Sequence, residues 1–135
     1  MALGCTFTGR ITTASPRLVS VIMHEVGIAQ NALEMAIQAA RASGGTQIHK
    51  IHLKVGVMTG VVPEALQFAF ESLREGTMAH AATLSVEQVP LTCWCRRCQI
   101  EFSSPEMLYE CPQCRQFDTE IRRGLELELA SLEAS

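Results

Sequence analysis

Two C-x-x-C pairs, Cys95–Cys98 and Cys111–Cys114, constrain this chain more than any other feature. Each short loop turns two sulfurs to one side, and two facing loops complete a tetrahedron around one metal ion. Residues 99–110 lie between the pairs, a shorter spacer than the roughly 15 to 20 residues typical of the pattern. It still leaves room for a short hairpin, with Phe102 and Tyr109 available to cover the site. A redox pair of the thioredoxin type would follow a strand and open a helix, and neither pair does so. Four thiolates fill every position around zinc(II) and leave none for water, so the expected ion is structural. Cys93 lies beside Trp94-Cys95 but fits the two-residue spacing less well and reads as a spare thiol. Cys5 has no evident partner.

Six cysteines in 135 residues could instead signal disulfides. That framework belongs to small secreted chains, and residues 1–22 lack a charged start followed by an unbroken apolar core. No apolar run approaches the roughly 18 to 20 residues needed to span a bilayer, which argues against integration into a membrane. The formal net charge of −3 argues against a dedicated nucleic-acid binder, which needs a basic face for phosphates.

The remainder reads as α+β. Residues 1–22 are rich in Ser and Thr and read as an N-terminal extension, either disordered or absent from the native protein. From Glu25 to Ala42 apolar residues recur at helical spacing, with Val26, Ala29, Leu33, Ala36, Ile37 and Ala40 as the expected stripe. Ser43-Gly44-Gly45 ends that helix with a glycine suited to a left-handed cap. Gln47 to Val57 alternates as a strand, with Ile51, Leu53, Val55 and Val57 on one side. Pro63 opens a second helix to Glu75. Thr83–Val89 reads as a strand, and Leu125, Leu127 and Leu129 alternate with Glu126 and Glu128 as another. The expected architecture is two helices packed on a small three-stranded sheet, with a zinc-ribbon-like module inserted before the last strand. The implied division is 23–90 plus 121–135 for the α/β part and 91–120 for the cysteine module.

Met23-His24-Glu25 stands at the start of the first helix. With a free amine on Met23, the amine, the following amide nitrogens and the His24 imidazole can close fused chelate rings. Such nitrogen-rich, square-planar geometry suits nickel(II) or copper(II) better than zinc. Taken alone, a histidine near a helix start is more often a solvated or capping residue.

The combination is more specific. The Met-His-Glu opening, the segment VGVMTGVVPEALQFAFE (Val55–Glu71) and CWCRRCQ (Cys93–Gln99), followed by a Cys-Pro-x-Cys pair, resemble the HypA/HybF family of hydrogenase nickel-incorporation proteins. The resemblance runs from Met23 to about Leu132. It implies a non-enzymatic, cytoplasmic nickel metallochaperone for [NiFe] hydrogenase maturation, monomeric or weakly dimeric. The implied partners are the GTPase HypB and the hydrogenase large subunit, and some members also serve urease. Carried over by motif, the nickel ligands are Met23 (amine), His24 (imidazole and backbone) and Glu25 (backbone). Cys95, Cys98, Cys111 and Cys114 are the zinc ligands. Two departures stand out. The family begins at the Met of the motif, whereas 22 residues precede it here, and an internal Met23 has no amine to donate. The expectation is therefore that the native chain starts at Met23. Family members also often carry an acidic residue just before the second helix, where this chain has Val62, with Glu64 nearby.

The other histidines read as structural. His49 and His52 are three apart on a strand and so face opposite sides; His80 falls in a loop. Met58, Met78 and Met107 read as packing residues. Two rival functions are a nucleic-acid-binding zinc ribbon using Arg96, Arg97, Arg115, Arg122 and Arg123, and a thiol oxidoreductase.

Overall fold

A computed structural model of the chain describes residues 9–12 and 25–135. The elements are β1 (Gly9–Thr12), α1 (Glu25–Ala42), β2 (Ile48–Gly56), α2 (Pro63–Leu73), β3 (Thr83–Val89), β4 (Thr92–Cys95), β5 (Ile100–Ser103), β6 (Thr119–Arg123) and β7 (Leu127–Ala134). They form a four-stranded sheet of order β1-β7-β2-β3 and a three-stranded sheet of order β5-β4-β6.

α1 forms over the expected residues, but its buried side is rotated from the expected stripe. Ile28, Ala29, Ala32, Leu33, Ala36 and Ala40 are inside, whereas Val26 is 55% exposed. Four of the six are alanines, whose short side chains let this helix approach the sheet and α2 closely. Gly44, at φ 81°, ends the helix as anticipated: Gly45 N–H donates to the Ala40 carbonyl at 2.7 Å and Gly44 N–H to that of Arg41. This is the six-to-one bond of a glycine C-cap.

β2 and β3 run parallel, so a crossover must join them, and α2 is that crossover. β7 returns antiparallel on the other side of β2. Ile51, Leu53 and Val55 of β2 and Leu129 and Leu132 of β7 are almost fully buried beneath the helices. Both strands carry an irregularity that strict alternation does not foresee. One falls between Ile48 and Lys50, so that His49 and Lys50 are both exposed and Ile48 remains inside. The other falls opposite His52/Leu53 and leaves Ser131 and Leu132 both buried. An extra residue in one strand resets which side chains turn inward.

Two boundaries differ from the sequence reading. Residues 9–12, expected to be unstructured, form the edge strand β1 paired with β7, so the main sheet has four strands and not three. β6 pairs with β4, so Ile121–Arg123 lie in the cysteine module's sheet and the expected boundary after residue 120 cuts through a strand. Leu125, expected within the last strand, precedes β7 and is half-exposed.

The two sheets meet at a junction of backbone. Gly56 N–H donates to the Glu126 carbonyl at 2.6 Å and Met58 N–H to that of Gly124 at 2.8 Å. A Cβ on Gly56 would overlap the Gly124 carbonyl, so glycine is required for this approach. Val57 and Met58 then pack against the small core of the cysteine module, formed by Leu91, Cys93, Cys95, Phe102 and Cys111.

Candidate metal centres

β4 delivers Cys95 from a strand end, where the chain turns into the first loop, Cys95-Arg96-Arg97-Cys98. The residue after it, Gln99, sits at φ 53°, and its N–H donates to the Cys95 carbonyl at 2.8 Å. The second loop, Cys111-Pro112-Gln113-Cys114, repeats the device. Arg115 is at φ 61° and its N–H donates to the Cys111 carbonyl at 2.9 Å. The two loops are thus conformational copies, each closed by a residue in the left-handed region.

The four sulfurs lie within 4.8 Å of one another, and Cys95 Sγ is 3.7 Å from Cys114 Sγ. A tetrahedron with zinc–sulfur bonds of about 2.3 Å has edges of about 3.8 Å, so this donor set fits zinc(II). Its electrostatics call for a cation. N–H groups of the second loop, first that of Cys114, hold the Cys111 thiol down to about 7. Partial burial, together with hydrogen bonds among the four sulfurs, pushes Cys98 up to about 12. Opposite shifts on these two sulfurs mean that a thiolate at Cys111 opposes a second negative charge at Cys98, which a divalent ion between them would compensate. Cys95 and Cys111 are fully buried and Cys98 and Cys114 half-buried. All four positions come from protein, so such an ion is structural.

Cys93 shares the inward face of β4 with Cys95 but stands outside the sulfur cluster, opposite Phe102 and Ile121. Burial pushes its thiol up, and it serves as a small apolar filler. Phe102 covers the module's core as expected. Tyr109 is not part of that core: it is 39% exposed, and its carbonyl accepts a bond from Thr119 Oγ1. Met58 and Met78 pack inward, but Met107 is half-exposed.

At the other candidate centre, Met23 and His24 lie outside the described residues, and Glu25 is the first residue of α1. Glu25 Oε1 accepts a hydrogen bond from Val62 N–H at 3.3 Å. Val62 precedes Pro63 as the cap of α2 and has no side-chain oxygen of its own to offer a helix start. A carboxylate from the neighbouring helix therefore sits beside that start, where the helix dipole favours negative charge. This role for the Glu25 side chain was missed in the sequence; the uncapped Val-Pro start was the available clue.

The remaining histidines do not converge. His49 Nε2 is 2.7 Å from Ser135 Oγ and His52 Nδ1 is 3.2 Å from Ser85 Oγ. The β2 irregularity turns neither inward, contrary to simple alternation. His80 Nδ1 meets the Thr77 carbonyl. Among the described residues, no second group of His, Cys, Asp or Glu gathers around a common point. Three of the five arginines of the rival nucleic-acid reading are paired with carboxylates. Arg96 pairs with Asp118 at 2.9 Å, Arg123 with Glu101 at 2.6 Å and Arg122 with Glu120 at 3.4 Å, and Arg122 also lies over the Trp94 ring.

The sequence profile of a known family, described as "Hydrogenase/urease nickel incorporation, metallochaperone, hypA", matches residues 23–134. The chain belongs to that family. The hydrogenase maturation factor HypA of Picosynechococcus sp. is 44% identical over 111 residues, covering 82% of this chain and 98% of the relative. Hydrogenase maturation factors HypA of Chloroflexus aggregans and Roseiflexus sp. are 40% and 39% identical over 112 residues. The solution structure of the nickel metallochaperone HypA from Helicobacter pylori superposes with a TM-score of 0.61 at 23% identity, covering 83% of this chain and 97% of that one. A second HypA solution structure gives 0.65 at the same identity. These likenesses establish the fold, and family membership establishes the class: a nickel metallochaperone of hydrogenase maturation, with a four-cysteine site for a structural metal. Among the described residues no helix is long and apolar enough to cross a membrane.

Proposed function

We propose that this metallochaperone carries nickel(II) at Met23-His24-Glu25 and passes it to the large subunit of a [NiFe] hydrogenase in the cytoplasm, acting with the GTPase HypB. The ligands are the Met23 amine, the His24 imidazole and amide, and the Glu25 amide. The observation that carries this reading is the position of the motif at the head of α1, where the Glu25 carboxylate is engaged by Val62 N–H. That bond holds the first turn of α1 against the start of α2, so the amide of Glu25 is presented from a fixed framework. The carboxylate itself is engaged with backbone, which fits a ligand role for the amide and not the side chain.

The chain then divides by task. The α/β part carries the transported ion, and the module built on Cys95, Cys98, Cys111 and Cys114 carries a resident zinc without taking part in a reaction. Nickel(II) binding takes a proton from each of two amides and from the Met23 ammonium, which then binds as a neutral amine, so uptake releases protons and strengthens as pH rises.

The test is a nickel(II) titration of zinc-loaded protein beginning at Met23, beside its His24→Ala variant. Loss of one nickel equivalent in the variant, with four-sulfur zinc retained, is the expected result. Unchanged nickel binding removes the assigned site. Full affinity in a chain that keeps residues 1–22 removes the amine ligand.

A further inference from the structure

β1 contributes little to the core, yet it occupies a specific place. Without it, all eight residues of β7 would be a sheet edge; with it, the Ser131–Ala134 half of that edge is covered by a four-residue strand. Long open edges recruit further strands, and short ones resist them. The pairing is antiparallel and in register, with Arg10 opposite Glu133, Ile11 opposite Leu132 and Thr12 opposite Ser131. Arg10 stands at the register position of Glu133 and its Nη2 donates to Ser131 Oγ at 3.0 Å, while Ile11 packs at the margin of the main core. Ser131 is 4% exposed, so this bond supplies a partner to a buried hydroxyl.

The segment that fills this edge lies outside the family match, which starts at residue 23. The Picosynechococcus relative is covered to 98% of its length by 111 aligned residues, which leaves no room for a comparable extension. Solved relatives covered to 97% and 98% of their length likewise fold without one. Apart from the partial packing of Ile11, the main core is built from residues 28–134. The part from Met23 onward is thus a complete folding unit, and β1 is a ligand-like addition to it.

We propose that the edge of β7 is a strand-docking site for an extended peptide segment with a cation beside an apolar residue, and that residues 9–12 occupy it in cis. Main-chain bonds supply the affinity for such an added strand, and alternate side chains supply the selection. Here Glu133 selects the cation, Leu132 the apolar residue and Ser131 a donor. A second copy of β7 is a poor occupant. Two such strands placed antiparallel with Ala130 opposite Ser131 set Glu128 against Glu133, and like charges directly opposite oppose pairing. The tethered segment excludes a partner strand by its high effective concentration, so docking in trans requires that residues 9–12 be released or missing.

The experiment compares zinc-loaded full chain, the full chain with Arg10→Glu and Ile11→Asp, and the chain from Met23, using a synthetic peptide of residues 7–14 as the probe. Amide exchange in residues 127–134 is expected to quicken at least about tenfold in both altered chains and to slow again with peptide. Peptide should bind them at least about tenfold more tightly than it binds the full chain, where the tethered strand competes. A peptide carrying Arg10→Glu should not bind. Equal exchange in all three chains, equal peptide binding, or no binding to any overturns the proposal. Protection of β7 in the short chain that rises with protein concentration assigns the edge to a second copy and also overturns it. No readout involves nickel, so failure here is separable from failure of the nickel assignment.

Discussion

The α/β domain and the cysteine module are both small sheets, but they are held together by different physics. The first buries a continuous hydrocarbon core between two helices and one face of its sheet, with Phe70, Leu66, Leu53 and Leu129 almost fully excluded from water. The second has three short strands and a core of five buried residues, of which three are cysteines and two of those metal ligands. A core that size cannot offset the entropy of ordering the chain, so the ion must supply what packing does not. One domain is specified by area and the other by coordination. They are joined where Gly56 and Gly124 bring two backbones into contact.

The largest effect expected from breaking this contrast comes from removing the metal. A strong chelator at neutral pH should melt the module and leave the helical signal of the α/β domain standing. Structural zinc contributes on the order of 10 kcal/mol in comparable small sites. Cys111→Ser should act in the same direction. Loss of circular dichroism at 222 nm in parallel with zinc would mean the two regions are one cooperative unit. Acid should reproduce the effect. Each thiol must be deprotonated to hold the ion, so protons compete with zinc and release should increase as pH falls, which a colorimetric zinc assay reads directly.

Next in size is the converse. Leu129→Ala removes a fully buried side chain from β7 and should cost about 2–5 kcal/mol in urea unfolding monitored at 222 nm. With cobalt(II) substituted for zinc as the probe, its visible d–d spectrum should stay that of a tetrahedral site in the folded variant. A change in that spectrum would show that core packing tunes the metal site.

A smaller effect, of about 1–3 kcal/mol, is expected from Gly56→Ala, which forces the junction apart. Its signature should be a widening gap between the zinc-release and helix-melting transitions, since the change falls on neither core. If the two transitions instead fall together by equal amounts, the junction transmits strain into both.

The smallest effect belongs to the loops. Gln99 and Arg115 hold left-handed conformations that glycine adopts freely. Replacing either with glycine relieves a backbone cost of roughly 1–2 kcal/mol, against a larger entropy loss on folding. The net change should lie within about 1 kcal/mol and should be similar for the two, if the loops are the conformational copies they look to be. Thermal zinc-release midpoints would read the difference.

Much of this was legible because local signals agreed. α1 runs over the expected residues because its helical periodicity is closed by Gly44, and β3 because turn residues bracket it. The zinc ligands were readable because coordination geometry fixes their spacing whatever the surrounding fold. The ribbon's strands were not, since β4 and β5 each hold four residues and the cysteines interrupt any alternation. The bulges in β2 and β7 escaped because they answer to register with a distant strand. Val26 was misplaced for a related reason: a helix's apolar stripe has a width, and which edge of it is covered depends on where α2 lies.

The sequence by itself determined the class of the protein: four thiolates at fixed spacing, a Met-His-Glu motif ahead of a helix, and an α+β order of elements. These are local or compositional facts, settled by spacing and side-chain chemistry. The tertiary structure alone decided that Glu25 reaches Val62 N–H, that the module's sheet extends through Arg123, and that Gly9–Thr12 closes the edge of β7. Each of these joins residues far apart in the chain through hydrogen bonds donated by backbone N–H groups. Every residue but proline carries that same donor, so the letters of the sequence do not mark which ones will meet.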